Sequence, residues 1–308
     1  MKERRFGTIS GFAAIILWST TVALARSTSE QLGPLTAAAG VYSVSGAIAL
    51  AQLLRSSERR SQIKHIPLKH VIGCGVPFLS YMIALFLAIG LATDHQQVLE
   101  VGLLNYLWPT LTILLSLVIL KRRANVWLIP GTLLALVGIF LVLTQGTYVS
   151  WQSTLGNLSA NPVAYAVGLI AAVSWAIYSN LTRRWAEDKR QGMVDLFLPI
   201  TAIVLTVIAL LSRSWHAWSV RSLLEVVFLG IVTYVAYWSW DNSMRRGNFV
   251  LVTAASYLTP FFSTVLASAY LHVAPTVNLW IGCGALIAGS LLSWSSSRNM
   301  SDAFTKHL

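Results

Sequence analysis

Ten apolar runs, each near the 20 residues that cross a hydrocarbon core, alternate with short polar segments along the chain. They cover residues 6 to 25, 34 to 54, 70 to 92, 98 to 120, 126 to 144, 162 to 182, 193 to 212, 222 to 240, 249 to 271 and 276 to 296. The pattern predicts an all-α integral membrane protein of ten transmembrane helices. Lys2, Arg4 and Arg5 precede the first run as they would in a signal peptide. That run is long enough to span and has others behind it, so it reads as helix 1.

Two runs carry the same interruption. Asn105-Tyr106-Leu107-Trp108-Pro109 recurs as Ser256-Tyr257-Leu258-Thr259-Pro260, 151 residues later. Proline has no N–H, so Pro109 and Pro260 free the carbonyls of Asn105 and Ser256 and kink their helices. Gly131 and Gly138 in helix 5 recur at the same offset as Gly282 and Gly289 in helix 10. Gly11 stands seven before Trp18, and Gly168 seven before Trp175. The chain therefore divides into a first five-helix repeat, residues 1–145, and a second, 162–298. An external linker, 146–161, of solvated-turn composition and a cytoplasmic tail, 299–308, complete it. Five is odd, so the second repeat enters from the opposite side and the halves form an inverted repeat, with substrate expected at the midplane between them.

Composition agrees with the runs and charge orients them. Of 308 residues, 56% are hydrophobic and only 11% charged, too few polar residues to clothe a soluble globule of this size. With the N-terminus inside, nineteen of the 22 Lys and Arg fall on inner segments, leaving Arg26, Arg213 and Arg221 outside. Both termini are then cytoplasmic. The net charge of +11 sits in short clusters between spans, which excludes a nucleic-acid surface. Cys74 and Cys283 both lie inside predicted helices, which excludes a disulfide framework. No metal or catalytic motif is present, and neither enzyme activity, a cofactor nor a metal is expected.

Candidate chemistry follows from depth. Gly102, Asn105, Pro109, Thr112 and Ser116 share one face of helix 4. Small residues on such a face also serve close packing. Asn105 and Ser256 are read as substrate groups, because an amide beside an unpaired carbonyl is costly in hydrocarbon. Trp127, Trp151, Trp185, Trp215, Trp218, Trp280 and Trp294 lie near helix ends and form an interfacial belt. Trp18, Tyr42, Tyr81, Tyr106, Trp108, Trp175, Tyr178 and Tyr257 lie deeper, where a buried ring either packs or lines a cavity. Glu100 is the acid placed inside a span, near the outer end of helix 4. It is either a functional carboxylate or a helix cap.

The two halves, the Gly-x6-Trp start of each and the Tyr-x2-Pro helix resemble the drug/metabolite transporter superfamily, EamA type. Leu17-Trp-Ser-Thr20, Tyr42-Ser-x-Ser-Gly46, Glu100-Val-Gly102, Asn105-Tyr-Leu-Trp-Pro109 and Pro130-Gly-x-Leu-Leu-Ala-Leu-Val-Gly138 are similar to the YddG-type aromatic amino acid exporters. The resemblance implies a central cavity built from helices 1, 3, 4, 6, 8 and 9, working by alternating access in a bacterial inner membrane. It implies export of aromatic amino acids, extending to other amino acids or flat aromatic compounds, by a monomer embedded in the lipid bilayer. Two other classes stay open: a broad drug or cation exporter with Glu100 as proton-coupling group, and a non-transporting scaffold or receptor.

Overall fold

A computed structural model of the protein describes residues 2–144, 151–186, 192–212, 217–271 and 277–305. Trp215, Lys189, Arg190 and Arg213 lie outside the described residues, as does the side chain of Trp151. The described residues are helical throughout, with no strand. In order they form α1 (Lys2–Leu32), α2 (Pro34–Arg55), α3 (Ser57–Lys64), α4 (Leu68–Leu91), α5 (His95–Asn105), α6 (Trp108–Ile119) and α7 (Leu128–Leu143). Then follow α8 (Trp151–Ala160), α9 (Pro162–Arg184), α10 (Val194–Ser212), α11 (Val220–Arg246), α12 (Phe249–Ala255), α13 (Thr259–Leu271) and α14 (Val277–Thr305). Among the described residues seven helical stretches are long and apolar enough to cross a membrane, and Leu128–Leu143 and Phe249–Ser263 are shorter apolar helices.

Local chemistry sets the boundaries. Gly33, at φ 77°, turns the chain in a conformation that suits glycine, and Pro34 opens α2 where no N–H is needed. Asp94 caps α5 by accepting the Gln97 N–H at 2.8 Å. Ser219 and Ser222 form a reciprocal capping box at the start of α11.

Both prolines break their helices. The ladder of α5 ends where the Leu107 N–H bonds Leu104 O at 3.1 Å, and it restarts with Leu111 N–H to Leu107 O at 2.9 Å. At the second site a 3-10 turn, Ser256–Leu258, separates α12 from α13. The Ser256 carbonyl freed by Pro260 is satisfied there by the backbone N–H and, at 2.8 Å, the hydroxyl of Thr259.

Three elements differ from the sequence pattern. The linker expected as solvated turns contains α8, held by hydrogen bonds to Glu100 described below. The basic segment after α2 contains α3, whose Arg59 bonds Asp195 of α10 at 2.8 Å. Burial pulls the Arg59 guanidinium down, but contact with Tyr234 and Asp195 outweighs it and raises the group above its ordinary range. Finally, α11 runs six residues past the expected end at 240 and carries Asp241 into its buried face.

Most of the major helix contacts come in matched pairs, α1 on α11 with α9 on α4, α6 on α9 with α13 on α1, α2 on α10, and α7 on α14, while the contact of α2 on α11 has only a slight counterpart in α10 on α4. The last contact is a glycine seam. A Cβ on Gly138 would lie 2.8 Å from Gly282 O, and one on Gly282 would lie 2.9 Å from Gly138 O. Gly289 meets Gly131 O in the same way at 2.6 Å, so the two helices run antiparallel with backbones in contact. Gly138→Ala or Gly282→Ala should therefore cost about 1–3 kcal/mol of stability through overpacking. Gly284→Ala, where a Cβ meets nothing within 4 Å, should be neutral. Thermal unfolding in detergent measures all three; equal behaviour would contradict the seam.

Candidate functional site

The deep rings predicted from the sequence divide into two groups. Trp18 on α1, Tyr42 on α2, Tyr81 on α4, Trp108 on α6, and Trp175 and Tyr178 on α9 belong to one cluster. Trp18 meets Trp175 edge to face with centroids 5.7 Å apart, and Trp108 at 6.4 Å. Tyr81 lies 4.7 Å from Trp175. Trp175 is only 2% exposed, whereas Trp18 and Tyr81 are half-buried. The cluster is filled by its own rings in this conformation.

The structure adds four residues that the sequence reading did not single out. Phe78 packs on Tyr178 at 5.1 Å, Tyr237 on Trp18 at 5.6 Å, and Trp240 on Trp108 at 5.2 Å. The fourth is Asp241, buried beside Trp240 and accepting the Tyr178 hydroxyl at 3.0 Å. The signal for Trp240 and Asp241 was Arg245-Arg246, which marks the true end of that helix. Several polar atoms on these rings find partners, as buried ones tend to. Trp240 Nε1 donates to Ser179 Oγ at 3.2 Å, and Tyr42 shares a hydrogen bond with Tyr237 at 3.0 Å.

Other predicted residues lie elsewhere. Tyr257 is fully buried in the cluster around α7 and α14, with its hydroxyl 2.8 Å from Thr110 Oγ1, and Tyr106 packs against the same cluster. Ser256 is buried, and its hydroxyl turns back to Thr253 O at 2.6 Å. Asn105 adjoins Tyr81, and its buried Oδ1 has no hydrogen-bond partner. One turn above it, a Cβ on Gly102 would meet no atom within 4 Å, so the chain leaves open space there.

The opposite end is tightly closed. A Cβ on Gly7 would lie 2.6 Å from Gly247 N. Thr8 Oγ1 accepts the Asn248 N–H at 3.0 Å, and Asn242 Nδ2 donates to Ser10 Oγ at 3.0 Å. Arg183 donates to the carbonyls of Met244, Arg245 and Gly247 at the end of α11. Asn180 Nδ2 crosses from α9 to Thr112 O of α6 at 2.9 Å.

Glu100 is not the cap of its helix, because Asp94 takes that position. It is 3% exposed and accepts hydrogen bonds from Thr154 at 2.9 Å, Asn157 at 3.2 Å, and Tyr165. It thus ties α8 and α9 to α5.

With this geometry in view, similarity to known proteins decides the class. The profile of the EamA-like transporter family matches residues 5–144 and again 162–295. The chain belongs to that family. EamA relatives include the aromatic amino acid exporter YddG of Escherichia coli (strain K12), 33% identical over 296 residues, which are 96% of this chain and 99% of that protein. The aromatic amino acid exporter YddG of Ancylobacter novellus is 31% identical, covering 94% of this chain and 98% of its own. An uncharacterized inner membrane transporter of E. coli K12, YedA, is 26% identical over 94% of this chain and 84% of its own. A crystal structure 28% identical superposes with a TM-score of 0.78, over 95% of this chain and 98% of that one. This EamA protein is accordingly a multi-pass transporter of the inner membrane, not an enzyme.

The Glu100 contacts predict coupled stability. Tyr165→Phe should cost about 1–3 kcal/mol and Glu100→Ala at least as much. The double variant should fall short of the sum by roughly 0.5–3 kcal/mol in thermal unfolding. Strict additivity would mean that the two side chains do not act together.

Proposed function

We propose that the protein exports aromatic amino acids by alternating access, with the ring cluster as the seat of the substrate side chain. The observation that carries this reading is the composition of the cluster. Its rings come from α1, α4 and α6 on one side and α9 and α11 on the other, and they meet at the junction of the two family matches. In a transporter whose relatives are named aromatic amino acid exporters, that junction suits a flat apolar side chain. The unpartnered Oδ1 of Asn105 suits the ammonium of the amino acid, since a buried acceptor without a donor gains from one. Small-molecule substrate and lipid bilayer are then the partners of the protein.

The architecture we infer has ten spans in two inverted five-helix repeats, residues 1–145 and 162–298. The linker 146–161 is external, the tail 299–308 inside, and both termini are cytoplasmic. The matched helix pairs and the antiparallel glycine seam support the inversion, because equivalent helices α7 and α14 run in opposite directions. The distribution of Lys and Arg supports the orientation. The close approach of Gly7 and Gly247 supports a state shut at that end.

The second reading, a drug or cation exporter coupled through Glu100, is disfavoured by that residue's engagement with α8 and α9, away from the rings. Aromatic contacts add about 0.5–1.5 kcal/mol each beyond buried area. Trp108→Ala or Trp175→Ala should therefore weaken phenylalanine binding roughly two- to tenfold. In proteoliposomes these variants should lose the preference for phenylalanine over alanine, and Asn105→Ala should slow both substrates alike. Equal native flux of both, unchanged in the tryptophan variants, would rule the reading out.

A further inference from the structure

Beside the closed end, α1 and the start of α12 border an open cleft of about 380 Å³. Its rim is Arg4, Arg5 and Asn248, and its wall is Ile9, Phe12 and Leu251. Arg122 stands close by, its guanidinium 5.6 Å from the centre of the Phe249 ring. Burial, and then the charge of Arg4, press Arg122 below its ordinary range. Among the described residues none of Arg4, Arg5 and Arg122 is paired with a carboxylate. Two cations thus sit at the rim and a third stands close by, none of them held in a salt bridge among the described residues, although Glu3 neighbours Arg4 in the first turn of α1.

The wall distinguishes among anions that such a rim attracts. Ile9 is 65% exposed and Phe12 39%, on a helix whose interior positions Ala14 and Ile15 are fully buried. Phe12 lies about 12 Å along α1 from Arg4 at 1.5 Å per residue. A charged rim with an apolar wall running that far into the membrane fits a headgroup with an acyl chain attached. A soluble anion would use the rim alone.

We propose that this cleft binds one anionic phospholipid. Its phosphate lies between Arg4 and Arg5 with Arg122 behind, and its acyl chain lies along Ile9, Phe12 and Leu251. The Asn248 side of the site belongs to α12, which Thr8 of α1 already joins, so the bound lipid spans the closed end. Which leaflet holds the lipid rests on the topology proposed above; the site itself does not.

Native mass spectrometry of the full chain in mild detergent tests the site without reference to topology. Phosphatidylglycerol should be retained as a single adduct in clear preference to phosphatidylethanolamine. Arg4→Ala and Arg5→Ala should each reduce retention roughly fivefold, the value of about 1 kcal/mol per basic group. Lys64→Ala with Lys69→Ala, which removes two exposed charges elsewhere on the same face, should leave retention unchanged. Equal retention of the two lipids by the native protein, or equal loss in the lysine variant, would overturn the proposal. So would complete displacement of the lipid by excess inorganic phosphate, which would make the rim a site for free phosphate.

Discussion

The contact between Trp18 and Trp175 links the first helices of the two sequence-matched segments, with indole centroids 5.7 Å apart at an interplanar angle of 75°. Edge-to-face geometry sets the positive rim of one ring against the negative face of the other. Trp175 is almost wholly buried in the protein. Phe78, Tyr81, Tyr178, Tyr237 and Trp240 surround Trp175, which makes that indole the hub of the cluster. In a membrane, where lipid tails compete with any apolar contact, shape and ring electrostatics rather than hydrophobicity hold such a cluster together.

Two constraints keep the cluster where it is. The glycine seam between α7 and α14 brings backbones into contact at one side, and the Gly7–Gly247 approach does so at the closed end. Between them the helices break at Pro109 and Pro260, and the second break is made good locally. The Ser256 carbonyl takes two donors from Thr259, and Thr112 Oγ1 donates to Trp108 O at 2.7 Å. Several polar side chains in these spans thus act on their own backbone, whereas Asn105 Oδ1, like Asn180 Oδ1 and a few buried hydroxyls, finds no partner.

Much of this was legible in the sequence. Run lengths gave an all-helical membrane protein, of whose helices seven stretches are long and apolar enough to span among the described residues, and the prolines gave both breaks. Six of the eight deep aromatic residues do meet. Tyr257 goes elsewhere, as does its repeat counterpart Tyr106, and both pack on the cluster around α7 and α14. The Tyr257 hydroxyl faces Thr110 there. Asp241 was hidden because an apolar run ends where charges begin, while the helix itself continues to Arg246. The linker helix α8 was hidden because its stability comes from a distant partner, Glu100, rather than from its own Gly, Ser and Asn composition.

Under the proposed mechanism the closed end must open for the rings to meet a cytoplasmic substrate. Ser10 and Asn242 touch across α1 and α11 there, at 3.0 Å. Cysteines at these two positions, joined by a short thiol cross-linker, would hold that end shut. Phenylalanine efflux from proteoliposomes should stop on cross-linking and return when the link is cleaved. Full efflux with the link in place would contradict alternating access around the ring cluster.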